Sequence, residues 1–555
     1  MPDEEKRPTK EESLKENSNY LRSTIKEELE NDLPYFQNDT TKILKFHGTY
    51  QQDNRDTRQE RAASKQEKEY ISMIRTKLPG GKLTPEQYLS LNAIAEKYGN
   101  NTLRITTRQT IQLHGVVKGN LYKTINEINK NLILTYGACG DVVRNVITCP
   151  VCDIDPEYGV NLNELAGEIS NYFLPKTSAY YEIWVDGEKI DLGRDALPCV
   201  STEPLYGKTY LPRKFKIGLS LPNDNCIDLF IQDLAIVPQD RGFNIFAGGG
   251  LGFTHNKPQT YPRLASPVCF VTGEKLMPTL EKIVTVHRDF GGRSDRRHAR
   301  LKYVIDDHGL DWFKKELEKR LGFKLELPKE IKEYKVSDHL GWHRQINNKW
   351  YLGLFIENGR ICDRDGKKVK SGLKEIVEKF KVDVRLSTQQ NIVLANIDEK
   401  NKDEIDKLVD KFGIYTVETR HGVSLLRRFS MACPALPTCG LAMAEAERAL
   451  PHIIDELEKA GFKDEKISIR MSGCPNSCSR PPVAEIGIIG LSLNKYNIYL
   501  GGSFEGTRLN KIYKEGVATC DIVHEIAGLL KIYREKRQEG ERFGDFWVRT
   551  CELHK

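Results

Sequence analysis

The chain contains two copies of one pattern. "LRITTRQTIQL" at residues 103–113 lines up with "VRLSTQQNIVL" at 384–394, with apolar residues at the same alternate positions and Arg, Thr and Gln in register. Further along, "IQDLAIVP" at 231–238 resembles "VAEIGIIG" at 483–490, and "FNIFAGGG" at 243–250 resembles "YNIYLGGS" at 496–503. Chance matches between short runs would not keep the same order. The interval is far longer than the roughly 20 to 50 residues of solenoid repeats, so the duplication predicts two halves related by a pseudo-twofold axis. Period-two runs alternate with helical stretches such as "TPEQYLSLNAIAEKYG" and "SGLKEIVEKF", where apolar residues fall three and four apart, and the mixture reads as α+β. At 555 residues the chain needs several cores, about two to four units.

The first 65 or so residues are charged, but "SNYLRSTI", "LPYF" and "ILKFHGTY" set apolar anchors among the polar runs. They read as an arm wrapped on the body, with disorder expected only at the extreme N-terminus. Lys+Arg of 84 against Asp+Glu of 78 leaves a charge of only +6, which gives no sign of a nucleic-acid partner. No apolar run approaches the roughly 20 residues of a membrane span, and "MPDEEKRPTKEES" lacks the apolar core of a secretory signal. A cytoplasmic protein without membrane contact is the expectation.

Thirteen cysteines are too sparse for a disulfide scaffold, and in a reducing compartment clustered cysteines are ligands or redox groups more often than bridges. "TCPVC" places Cys149 and Cys152 at C-x2-C spacing, which suits zinc or a thiol redox pair. Without a second pair at matching spacing, a structural role is expected. "CPALPTCGLAMAEAERALP" and "RMSGCPNSCSR" carry Cys433, Cys439, Cys474 and Cys478 in a C-x5-C-x34-C-x3-C pattern, in Pro- and Gly-punctuated loops. The C-x5-C half is awkward for structural zinc, whereas an iron–sulfur cubane accepts irregular spacing. On spacing alone both stay open. "AGGGLG" misses the last glycine of a dinucleotide fingerprint, and its glycines read instead as backbone approaching a flat ligand.

"CPALPTCGLAMAEAERALP" followed by "GCPNSCSRPPVAEIGIIG" resembles the paired motif of the sulfite and nitrite reductases that couple siroheme to a 4Fe-4S cluster. The likeness extends through "SNYLRSTI", "FHGTYQQDNRDTRQER", "LPGG", "TTRQTIQLHG", "YLPRKFKIG", "GGGLG" and "GERFGDFWVR", nearly the whole chain, and is closest to the assimilatory sulfite-reducing branch. It implies a pseudo-twofold α+β fold with an N-terminal arm (1–65), a first ferredoxin-like half (66–136), a siroheme-binding α/β domain (137–334), a second ferredoxin-like half (335–415) and an α/β domain carrying the cluster (416–555). Cys433, Cys439, Cys474 and Cys478 would hold the cluster, with Cys478 shared with the siroheme iron.

The same resemblance implies that Arg75, Arg144, Lys214 and Lys216 face the substrate, while Arg104, Arg108, Gln112, His114, Arg213 and Asn476 contact the cofactor. Arg300 and Lys302 in "SDRRHARLKYV" are further candidates, although Arg300 stands where relatives are expected to carry Lys. The chemistry agrees: siroheme's carboxylates need Arg partners if the macrocycle is buried, and a dianionic substrate losing oxygen needs cations and protons. Six-electron reduction of sulfite to sulfide follows, serving sulfate assimilation and cysteine biosynthesis. The electron donor is an NADPH-oxidising flavoprotein component or ferredoxin. The rival readings are a ferredoxin-dependent sulfite or nitrite reductase and, more distantly, a non-catalytic zinc scaffold.

Overall fold

A computed structural model describes residues 7–156, 161–176, 184–185, 188–189, 203–331, 334–417 and 422–552; the expectation of disorder at the extreme N-terminus concerns residues outside these ranges. Among the described residues, four five-stranded sheets form two pseudo-equivalent pairs. The first central sheet runs, in spatial order, Thr49–Asp53, Tyr70–Arg75, Ile111–Val116, Leu103–Ile105 and Arg360–Ile361. The second runs Gly341–Arg344, Trp350–Leu354, Ile392–Ile397, Asp383–Leu386 and Lys82–Leu83. Each sheet is thus completed by a strand from the other half, with Arg360 opposite Arg104 and Lys82 opposite Arg385.

Helices form where the apolar spacing predicts. Pro85–Tyr98 begins at Thr84, whose side chain and that of Gln87 close a capping box, and Val369–Phe380 is its counterpart in the second half. The two helices and both central sheets bury their apolar faces in one shared core that includes Leu91, Leu103, Ile111, Leu373, Val384 and Ile392. Strands this short, in sheets with one solvated edge, gain their stability from that common interior.

The outer sheets repeat one topology. In the first, Ile147–Thr148, Ile217–Leu219 and Leu234–Gln239 are parallel neighbours, and Gly242–Ala247 and Ser266–Thr272 continue antiparallel. In the second, Ser430–Ala432, Ile469–Ser472 and Ile486–Ser492 are parallel, followed by Lys495–Leu500 and Lys511–Ala518. Each has its own core. Two glutamines at equivalent left-handed turns tie the sheets together: Gln109 Nε2 donates to Thr148 O (2.8 Å) and Leu386 O (2.7 Å). Gln390, with its amide turned to suit its neighbours, donates to Ala432 O at 3.2 Å.

The N-terminal segment is less irregular than its charge suggests, with short helices at Lys10–Glu16, Ile25–Glu30 and Asn38–Leu44. Leu21, Phe36 and Phe46 are buried against the body. Lys15, itself buried, pairs with Glu12 (2.6 Å) and Asp141 (3.6 Å). Among the described residues no helix is long and apolar enough to cross a membrane.

Candidate active site

The four cysteines sit just beyond the ends of two adjacent parallel strands. Ser430–Ala432 delivers Cys433, and Ile469–Ser472 delivers the loop with Cys474 and Cys478. The loops close on each other because Gly473 has no side chain: a Cβ there would lie 2.4 Å from Ala444 O and 2.6 Å from Ala435 Cβ. The Gly473 amide donates to Cys433 Sγ at 3.3 Å, and Asn476 Nδ2 to Cys474 Sγ at 3.5 Å. Burial and the neighbouring Cys478 push the thiols of Cys433, Cys439 and Cys474 upward, that of Cys474 to about 11. Such a set holds its protons until a metal replaces them.

The spacing of the sulfurs bears on the two metal readings. One zinc ion with Zn–S near 2.3 Å would draw its thiolates to within about 4 Å of one another. Among the described residues, the His, Cys, Asp and Glu donor atoms that gather in threes within 4.8 Å are those of Cys149, Cys226 and His339, so no three of the four loop cysteines do.

Cys478 is the exposed member of the four. It opens onto a cavity lined also by Thr107, Arg108, Lys214, Lys216, Arg300, Asn476 and Arg480. "PRKFK" enters this cavity ahead of Ile217–Leu219, so that alternate residues Lys214 and Lys216 point the same way. Burial, with Arg108 and Arg300 beside it, pushes the Lys216 ammonium down to about 7. Lys214 is driven well below its ordinary value by burial and by Arg213, Lys216 and Arg144. Arg108 donates to Gln232 Oε1 (2.6 Å), Ile217 O (3.1 Å) and Asn145 O, but its Nε is buried without a partner.

The carboxylates nearby are already engaged. Asp233 takes both arms of Arg300 (2.8 and 2.7 Å) and the Lys216 amide (2.8 Å), while Asp141 serves Arg296 (2.8 Å) and Lys15, with Arg213 at 3.8 Å. None of Arg75, Arg108, Arg144, Lys214 and Lys216 has a carboxylate within 4.0 Å among the described residues. A concentration of half-buried cations that repel one another suits a large anion.

The other predicted residues divide. Arg75 lies over the Tyr50 ring (5.9 Å) and donates to Cys139 Sγ (3.3 Å), and Gln112, with its oxygen facing Arg75, accepts from Nε at 3.1 Å. His114 Nε2 is 3.3 Å from the Gln112 amide, and its Nδ1 is buried without a partner. Arg144 donates twice to Gly140 O at 3.1 Å. Arg104 turns away from the cavity: it binds Glu447 (3.0 Å), Asn358 O (3.0 Å) and Ala432 O (2.9 Å). Lys302 reaches Gly250 O, Gly252 O and Tyr261 O. The glycine run divides: Gly252 lines the Cys478 cavity, with nothing nearer than 3.7 Å to where a Cβ would stand. A Cβ on Gly249 would lie 2.3 Å from Phe230 O, so that glycine makes room for protein backbone, and Gly250 does so for Arg300.

Residues not singled out from the sequence complete the site. Thr107 Oγ1 donates to Cys478 O at 3.0 Å, and Asp233 holds Arg300 and Lys216. Both stand inside motifs used for the repeat, so their positions were available. Tyr50 and Cys139 carried no signal of their own.

The model of the "Nitrite and sulphite reductase 4Fe-4S domain" matches residues 139–325, and that of the "Nitrite/Sulfite reductase ferredoxin-like half domain" matches 64–131 and 343–412. A protein of Anoxybacillus flavithermus named sulfite reductase (NADPH) hemoprotein beta-component is 47% identical over 553 residues, covering 98% of this chain and 95% of the relative. One of the same name from Oceanobacillus iheyensis is 46% identical, covering 97% and 94%. The structure of Mycobacterium tuberculosis NirA is similar over 98% of this chain and 97% of that one, with a TM-score of 0.80 at 22% identity, which speaks to the fold.

Proposed function

The chain belongs to the nitrite and sulfite reductase family, and from that premise we propose that it is the hemoprotein component of a sulfite reductase, reducing sulfite to sulfide with siroheme and a 4Fe-4S cluster. The observation that carries this is the set of partly buried cations beside Cys478 with no carboxylate within 4.0 Å among the described residues, which pairs an anion-binding cavity with a four-thiol site. When bound, the coupled cofactors supply storage and delivery of single electrons.

Cys433, Cys439, Cys474 and Cys478 would hold the cluster, and Cys478, which opens onto the cavity, would be shared with siroheme. Arg108, Arg213, Arg300 and Asn476 supply donors for the macrocycle's carboxylates, with Gln112 and His114 behind Arg75. Arg104 belongs to the support of the Cys433 strand through Glu447 and Ala432. Arg75, Arg144, Lys214 and Lys216 bind the dianionic substrate and exclude water from it. Burial among cations lowers both ammonium groups, which makes each, when protonated, a stronger acid toward a departing oxygen.

The relatives' names pair a hemoprotein with NADPH, so a separate flavoprotein component is the proposed donor and the cytoplasm the proposed compartment. Purified protein should show siroheme absorption in the Soret and red regions and form sulfide from sulfite with a reduced dye. A colourless protein containing zinc at the four-cysteine site would refute the reading.

A further inference from the structure

The first outer sheet carries its own version of the cysteine loops. Pairing Ile217 with Leu234 and Ile469 with Ile486 sets the register between the two outer sheets. In that register "LPNDNCIDLFIQD" at 221–233 matches "GCPNSCSRPPVAE" at 473–485 without a gap, and Cys226 is the counterpart of Cys478. The edge strands agree: Ile147 pairs with Gly218 as Met431 pairs with Arg470, which makes Cys149 the counterpart of Cys433. Even the hydrogen bond behind the loop is kept, because Thr388 Oγ1 donates to Cys226 O (2.8 Å) as Thr107 Oγ1 does to Cys478 O (3.0 Å).

This second site cannot repeat the first. The counterpart of Cys474 is Pro222, and two thiols do not hold a cubane. His339 enters instead. The position equivalent to Arg75 is Gly353, whose Cβ would lie 1.8 Å from His339 O, so the arginine has given way to the segment that carries the imidazole. Cys149 Sγ is 3.5 Å from His339 Nε2, and the ligand atoms of Cys149, Cys226 and His339 all lie within 4.8 Å of one another. All three residues are buried. Asp224 Oδ1 accepts from the amides of Cys226 (2.9 Å) and Ser337 (3.2 Å), which fixes the two approaching segments together.

We propose that Cys149, Cys226 and His339 bind a single zinc ion, in a site distinct from the four-cysteine site. Two thiolates and an imidazole are zinc's preferred donors, and their mutual distances suit one tetrahedral ion. Cys152, at C-x2-C spacing and also buried, is the candidate fourth donor; its thiol lies outside the group of three. The ion joins the loops after two strands of the first outer sheet to the segment entering the second central sheet.

The test uses the full chain loaded with its cofactors and expressed in zinc-supplemented medium. Elemental analysis after dialysis should give close to one zinc per chain. Zinc-edge absorption should give two or three sulfurs at ~2.3 Å and one nitrogen at ~2.0–2.1 Å. Cys226→Ser and His339→Ala should lower zinc at least about tenfold, with iron and the visible spectrum unchanged. Zinc-free wild-type protein, an oxygen-dominated zinc shell, or zinc retained in both variants would overturn the proposal. The wild-type absorption experiment decides the matter even where a variant fails to fold. The visible spectrum reports separately on the reductase reading.

Discussion

Lys216 is the residue on which substrate preference should turn, since it lines the cavity with no carboxylate partner among the described residues and its amide is fixed by Asp233. Lys216→Asn is expected to slow sulfite turnover at least about tenfold, roughly 1.4 kcal/mol of transition-state stabilisation, and nitrite turnover less. Steady-state rates on both substrates check this; equal losses would remove Lys216 as the discriminating group. Ser in place of Cys433, Cys439, Cys474 or Cys478 should abolish the cluster, because a hydroxyl is a poor substitute for thiolate on iron, whereas Cys149→Ser should leave it intact. Iron and sulfide analysis reads the difference directly. The four cysteines were legible because they stand in two distinctive motifs. The Cys149 triad was not: "TCPVC" announces one pair, but Cys226 and His339 come from distant segments and share no local spacing with it.

Among the elements, the decisive junction is Glu447. Its carboxylate accepts from Arg104 of the first half (3.0 Å) and from Arg360 of the second (2.7 and 3.0 Å), whose strands pair at the border of the first central sheet. Burial pushes this carboxyl up, but Arg360 and Arg104 outweigh it and hold it down at about 2. Because the folded value lies below the unfolded one, the stabilisation is complete above the ordinary carboxylate range and is lost as pH falls toward 2. Glu447→Gln should cost about 3–5 kcal/mol near neutral pH, since it leaves two buried guanidiniums uncompensated. The deficit should shrink in acid, and denaturant titrations at several pH values measure both effects. The counterpart of Arg104, Arg385, is held by Asp153 instead, so the duplicated positions keep the charge pair while changing the partner.

For the whole molecule, the prediction concerns its electron supply. "AGGGLG" lacks the last glycine of a dinucleotide fingerprint, and a cofactor pair that accepts single electrons cannot take hydride. The isolated chain should reduce sulfite with a dye but not with NADPH until a flavoprotein component is added. Stopped-flow mixing with dye, NADPH, NADPH plus flavoprotein, and reduced ferredoxin distinguishes the donors, and turnover with ferredoxin only would reassign the branch. The duplication itself was readable because long strands such as Ile111–Val116 and Ile392–Ile397 keep their alternation. The exchange of border strands was not, since Lys82–Leu83 and Arg360–Ile361 are too short to show any period. That exchange bears on how the protein is made. On the ribosome, Leu103–Ile105 emerges long before the Arg360–Ile361 segment that covers it. The nascent first half therefore carries a bare sheet margin until most of the polypeptide has been translated, an opening for chaperones and for mispairing between neighbouring nascent chains.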